Sequence, residues 1–457
     1  MCEARAFWIV LASVLVLTAL TTVGNAQTYS VLYNFGTTNG DPLSPEGGLV
    51  QGRDGNVYGV SGFGGANGQG TVFKITSGGV TTVLHSFQEQ EVPDNRLTLG
   101  TDGNLYGTTE QGGSSGFGTV FKITPAGVLK VLWNFTNGSD GGYPMAPPVQ
   151  GEDGKFYGTA STGGNLGYGT VCKLTPSGSL TTIYQFDSTH GAVPETAFVQ
   201  GIDGNFYGST FLGGVNGFGT IFKITAAGKL TVLYNLIKKF TGYNILSPLI
   251  QGNDGYFYGT AFNGGPSTGG TVFKIKSVGK FIVLHDFSNP DGTNPYGGLV
   301  QATNGNLYGV TAGEGSHHGG TIYQITTNGS FSVLYNFDST DGFAPYTTLL
   351  QRTDGKLYGD TTEGGGTNEG VFYSFDLGLG SFVSLVSTSG KVGKIIGILG
   401  QPFKGTTSVS FNGTPASFTV ESDTYLTATV PDGATTGPVT VTTPGGLLTS
   451  NRTFRVR

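Results

Sequence analysis

A Tyr-Gly pair recurs at Tyr58, Tyr106, Tyr157, Tyr207, Tyr258, Tyr308 and Tyr358, at spacings of 48, 51, 50, 51, 50 and 50 residues. A period held this evenly is the mark of a repeat architecture, in which each unit covers its apolar face with its neighbours. The first unit contains four strand-like runs, YSVLYNF, GGLVQG, NVYGVS and GTVFKIT, separated by turn residues. Between the second and third runs stands Asp54-Gly55, matched by Asp102-Gly103, Asp153-Gly154, Asp203-Gly204, Asp254-Gly255, Asn304-Gly305 and Asp354-Gly355. These dipeptides predict two-residue hairpins of the type that needs positive φ at both central residues. Between the third and fourth runs come Gly64-Gly65, Gly112-Gly113, Gly163-Gly164, Gly213-Gly214 and Gly264-Gly265, each opening a longer glycine-rich loop.

The chain's 81 glycines, 21 tyrosines and 31 phenylalanines, with only 11% charged residues, fit many short strands and tight turns rather than long helices. Glycine serves the turns and the places where strands approach closely, while Val72, Phe73, Ile75 and their counterparts fill the space between sheets. Seven four-stranded antiparallel units predict an all-β fold closed radially, a seven-bladed β-propeller over residues 27–380. An open β-solenoid is the alternative, and it would leave its end strands exposed.

The phrases DGN-(V/L/F)-YG-x-T, GG, and G-(F/Y)-GT-(V/I)-FKI followed by VLYNF resemble the GloVer-type tandem repeat of secreted bacterial proteins, over about residues 29 to 380. The resemblance implies a secreted, propeller-like region and carries over no catalytic residue. Residues 381–457 leave the pattern, with short alternating strands and turns at Ser389-Gly390, Asn412-Gly413, Asp432-Gly433 and Gly445-Gly446. They predict a small immunoglobulin-like β-sandwich. Its SGKVG turn, SVSFNGTPASF hairpin and ATVPDGATTGPVTVTTPGG run resemble an IPT/TIG domain, which implies a spacer or interaction module, some of which contact carbohydrate. The run SFVSL fits either region. If it belongs to the sandwich, the N-terminal YSVLYNF run completes the last repeat unit.

Residues 1–26 read as a secretory signal peptide, with Arg5 in the head, an apolar run from Phe7, and Gly24 and Ala26 before a cleavage point at Gln27. An uncleaved anchor is the alternative; after cleavage no membrane span is expected, and the protein is placed outside the cell or on its surface. One cysteine then remains, Cys172, in a slot held by Phe in sister repeats, so it reads as a buried thiol. A formal charge of −6 without any Lys/Arg cluster argues against nucleic acid as a partner.

Residues shared by all units are structural, so a site should appear as a break in the pattern. Just before Gly-Thr, three consecutive units carry Phe117, Tyr168 and Phe218, where the others have Gln69, Gly269, Gly319 and Glu369. Aromatic faces there would stack on sugar rings, or else wedge between units. Asp140, Asp291 and Asp341, with His190 in the same slot, are candidate polar or cation contacts or loop caps, and His317-His318 breaks the sixth glycine loop. No metal-ligand spacing accompanies these residues, and no cofactor is implied. Glu110, Glu314, Glu363 and Glu369 lie in loops of different units, and sequence alone does not say whether any two approach. The leading expectation is a non-enzymatic binding protein for a polysaccharide or surface protein. An extracellular hydrolase or lyase acting on glycans, and a structural envelope component, are the alternatives.

Overall fold

The computed structural model describes residues 27–457, so the predicted signal segment lies outside the described residues. The seven repeats form seven four-stranded antiparallel sheets, all built alike. In the first, Val50–Gln51, Val57–Ser61, Thr71–Ile75 and Thr81–Ser86 pair in sequence order. The seventh differs in one respect. Its fourth strand is the N-terminal Thr28–Asn34, which pairs with Val371–Asp376. The SFVSL run is thereby free for the C-terminal region, where Ser384–Leu385 pairs with Ile395–Leu399.

The Asp-Gly hairpins differ from the predicted two-residue turn. In the first unit Gly55 N–H donates to Gly52 O and Gly52 N–H donates to Asn56 O, and Gly55 alone has positive φ, at 78°. This is a three-residue loop, a type I turn ending in a left-handed glycine. Asp54 is needed for its carboxylate instead of its φ. It accepts from Asn56 N–H and from the Tyr58 hydroxyl at 2.8 Å. The same Tyr-to-Asp bond recurs at Tyr106, Tyr157, Tyr207, Tyr258 and Tyr358. In the sixth unit Asn304 donates to Tyr308, and the Tyr308 hydroxyl donates in turn to Gln324 Oε1, where the first five units carry Lys.

The glycine after each tyrosine also has a packing reason. Gly107 pairs across the ladder with Phe121, and a Cβ there would stand 2.5 Å from the Phe121 ring. The aromatic ring thus lies over the bare backbone of its neighbour. In the third unit Cys172 replaces the ring, and a Cβ on Gly158 would meet nothing nearer than Pro148 at 3.6 Å.

Apolar clusters join each sheet to the next. Tyr58, Val60 and Val72 of the first sheet meet Phe87, Leu97 and Phe121 beside the second, and Phe35, Val57 and Phe73 meet Tyr358 and Phe372 of the seventh. The remaining consecutive pairs are joined in the same way. Each fully buried large side chain stabilises such a seam by roughly 1.5–3 kcal/mol. A second link is polar. Gln150, Gln200, Gln251, Gln301 and Gln351 each accept, through Oε1, the backbone N–H of the preceding unit's turn at 2.8–3.0 Å. Gln51 does the same to Thr353 at 3.1 Å, which ties the first unit to the last. Only the second unit has no such glutamine, its slot being Leu99, and there Arg53 Nη2 donates to Thr101 O.

In the C-terminal region two four-stranded sheets share one core. Ile396, Ile398 and Leu426 of one sheet meet Val409, Phe411, Val439 and Val441 of the other. This unit rests on the Asp-Gly turns. Glu152, in the third unit's turn, receives Arg455 Nη2 at 2.6 and 2.8 Å, Arg457 Nη1 at 2.9 Å, and the Ser389 hydroxyl. Thr424 donates to Arg53 O at 2.7 Å, and Arg53 lies 4.4 Å over the Tyr425 ring. Arg352 of the seventh unit reaches Gln401 at 3.2 Å.

Candidate functional site

The glycine loops and the segments entering each first strand lie at the other end of the strands from the Asp-Gly turns. There the position two or three residues into each entering segment brings all seven units to one small cavity of about 30 Å³. Glu46 comes from the first unit, Arg96 from the second, Glu195 from the fourth, Tyr296 from the sixth and Tyr346 from the seventh. The third and fifth contribute Ala146, Pro147 and Leu246, so Glu195 stands between two apolar neighbours.

Packing sets the charge state of these groups. Burial raises the Glu46 and Glu110 carboxyls above the ordinary range. Glu195 is pushed up to about 7, first by burial and then by the charge of Glu110. Burial brings Arg96 down to about 10, and its guanidinium lies over Gly48, where a Cβ would collide with it. The Tyr346 hydroxyl is raised by burial and by the charges of Glu363 and Glu46. Tyr296 meets Tyr346 edge to face at 4.9 Å and Phe262 at 5.7 Å. In the wall beneath, Asp360 stands where other units have Val, Thr or Ser, and burial drives its carboxyl far up, toward the neutral acid. Neither carboxylate oxygen of Asp360 nor the nearby Tyr373 hydroxyl has a hydrogen-bond partner among the described residues.

The candidates named from sequence are dispersed around this mouth. Phe117 packs edge to face on Tyr143 at 5.6 Å, and Phe218 lies tilted against Tyr243 at 5.5 Å; both are partly buried. Tyr168 is 41% exposed. The carbonyls of Phe117 and Tyr168 accept the N–H of Tyr143 and Val193 in the segments entering the next unit, so these loops also fasten neighbouring units. Asp140 caps its loop through Thr136 N–H and accepts from Trp133 Nε1 at 3.2 Å. Asp291 accepts from the Ser288 hydroxyl at 3.2 Å and faces His285 Nε2 at 3.2 Å. Asp341 binds the Tyr335 hydroxyl and Asp338 N–H. His190 pairs with Asp187 at 2.7 Å and His318 with Glu314 at 2.9 Å, while His317 is exposed. Among the described residues no group of three or more His, Cys, Asp or Glu could hold a metal ion. Cys172 is buried and its thiol is raised to about 11 by burial.

Glu46, Arg96, Glu195, Tyr296 and Tyr346 escaped the sequence reading. The signal was a break in the residues that follow the recurrent proline at Pro45, Pro93, Pro144, Pro194, Pro295 and Pro345, where acid, base and aromatic side chains alternate without repeat identity.

The fold and this mouth define an all-β repeat protein that resembles propeller-like repeat proteins. The chain belongs to the Gloeobacter/Verrucomicrobia repeat family, whose profile matches residues 16–214, 93–252, 146–373 and 195–430 in overlapping placements. No curated protein matches the sequence. Among solved structures, a streptogramin B lyase is similar with a TM-score of 0.55 at 16% identity, over 77% of this chain and 97% of that one. Virginiamycin B lyase from Staphylococcus aureus is similar at 0.53 and 16% identity, over 76% and 99% of the two chains. A catalytically inactive variant of that lyase with quinupristin gives 0.54 and 15% identity over 76% and 99%. These likenesses concern the fold.

Proposed function

We propose that residues 27–380 are a secreted seven-bladed β-propeller, and that residues 381–457 are an immunoglobulin-like sandwich similar to IPT/TIG modules. In this reading the free end of the propeller binds a polyhydroxylated ligand, a glycan strand, without turning it over. The observation that carries the reading is the convergence of Glu46, Glu195, Tyr296 and Tyr346 at the end of the ring that the C-terminal unit leaves uncovered. Carboxylates accept hydrogen bonds from sugar hydroxyls, and aromatic rings pack on the apolar faces of sugars. Exposed Phe63, Leu166, Tyr168 and Leu212 on the glycine loops extend an apolar surface at the same end, and of Phe117, Tyr168 and Phe218 only Tyr168 is exposed for stacking. A mouth of about 30 Å³ has room for little more than water, so the ligand lies across it rather than inside it. Secretion rests on the layout of residues 1–26. Among the described residues no helix is long and apolar enough to cross a membrane.

The test is a glycan array read with the parent, with Tyr346→Ala and with Tyr168→Ala. Binding that both substitutions weaken while thermal unfolding stays within a few degrees supports the mouth as the site. Binding unchanged by Tyr346→Ala removes it.

A second reading makes the same mouth a hydrolase or lyase acting on glycans. It is favoured by Glu195, poised at about 7 for proton transfer near neutral pH, and by the fold shared with the lyases. Product release from a glycan panel that Glu195→Gln abolishes would establish it. The absence of both binding and turnover, with the protein retained on cells, would favour a structural envelope role.

A further inference from the structure

A second cavity, of about 170 Å³, lies between the ring and the C-terminal unit. On the same measure a water needs roughly 10–15 Å³. Arg452 and Arg455 line it from one side, and the turns of the fourth and fifth units, with Gln200 and Asn253, from the other. The charges here do not balance. Two cations of the lining, Arg452 and Arg455, face one acid, Glu152, whose oxygens already accept from Arg455, Arg457 and the Ser389 hydroxyl.

Arg452 is half-buried, burial lowers its pKa, and its side chain borders the cavity. Its Nη1 donates to Gln251 O at 3.2 Å, and no carboxylate pairs with it among the described residues. Arg455 uses Nη2 on Glu152 and Nη1 on Ile202 O, and its Nε is buried without a hydrogen-bond partner. A half-buried guanidinium that borders a cavity and has no acid paired with it is suited to a planar or tetrahedral oxyanion, which it holds through charge-assisted bonds. The hydroxyls of Thr388 and Thr453 offer further donors around the same space.

We infer that this cavity is a binding site for an oxyanion group, a carboxylate, sulfate or phosphate, held between Arg452 and Arg455, and that its occupancy fastens the C-terminal unit to the ring. The site is separate from the mouth and does not depend on the function proposed for it.

The experiment titrates the mature full chain at fixed ionic strength with inorganic phosphate, sodium sulfate and glucuronate, using chloride and uncharged glucose as controls, and follows thermal unfolding and calorimetric binding. Saturable stabilisation by phosphate or sulfate identifies a free oxyanion as ligand; saturation by glucuronate alone identifies a sugar carboxylate. Either supports the site. Arg452→Met is expected to weaken binding about tenfold or more, the loss of a charge-assisted bond of about 1.5–3 kcal/mol. Should that variant fail to fold, protection of Arg452 and Arg455 from phenylglyoxal by the same anions, read by peptide mass spectrometry on the unaltered protein, replaces it. No saturation beyond chloride and glucose, undiminished binding by Arg452→Met, or no protection of these arginines would overturn the proposal.

Discussion

The two ends of the ring follow different rules. At the Asp-Gly end, six units repeat one Tyr-to-Asp bond and six glutamines repeat one bond to a neighbour's backbone. At the other end, the residues that enter each first strand share little, and Glu46, Arg96, Glu195, Tyr296 and Tyr346 meet there. Identity between units builds the frame, and departures from identity supply the chemistry. A group shared by all seven units would give a ring of like charges or like rings, whereas an asymmetric mouth can orient one ligand.

The largest expected effect tests the frame. Gly107→Ala places a Cβ against Phe121 and Leu97, so one of them must shift, and should destabilise by about 1–3 kcal/mol. Gly158→Ala, opposite Cys172, should change stability by less than about 1 kcal/mol. Denaturant unfolding of the pair checks this; equal losses would show that the glycine serves backbone freedom and not the ring above it.

Next is the covered end. Glu152→Gln leaves Arg455 and Arg457 without their acid and should cost about 1–3 kcal/mol, less than a fully buried pair because all three groups keep some solvent contact. Calorimetry is expected to show the C-terminal unit melting ahead of the ring. A single transition lowered as a whole would mean that the contact does not govern docking.

The open end should respond to pH. Glu195 is raised in the folded protein above its unfolded value, so the folded state holds its proton more tightly and stability falls as pH rises from about 4.5 to about 7. Glu195→Gln should remove this slope and stabilise the protein at pH 8 by on the order of 1 kcal/mol, after discounting for solvent screening. An unchanged pH profile would show that the carboxyl is better hydrated than its surroundings imply.

The smallest effect concerns a single link between units. Gln301→Leu removes the bonds to Asn253 N–H and Gly305 O and should cost about 1 kcal/mol. The ring already tolerates Leu99 at this position in the second unit, so unfolding is expected to remain cooperative.

The sequence by itself determined the seven units and their four runs, because period, alternation and turn residues are local properties of the chain. It also placed Cys172 in a buried slot by comparison with its sister repeats. It misjudged the Asp-Gly turn, where the aspartate's value lies in a carboxylate that accepts from a tyrosine four residues on and not in its φ. The sequence leaves the pairing of Thr28–Asn34 with Val371–Asp376 conditional on where SFVSL belongs, and tertiary packing decides it. Only the tertiary structure could assemble the mouth. Glu46 and Tyr346 are 300 residues apart in the chain, and Glu195 takes its charge state from burial and from Glu110 in another unit. No local pattern encodes such neighbours, because closure brings together positions whose sequence spacing is a multiple of the repeat, and each is a departure from that repeat.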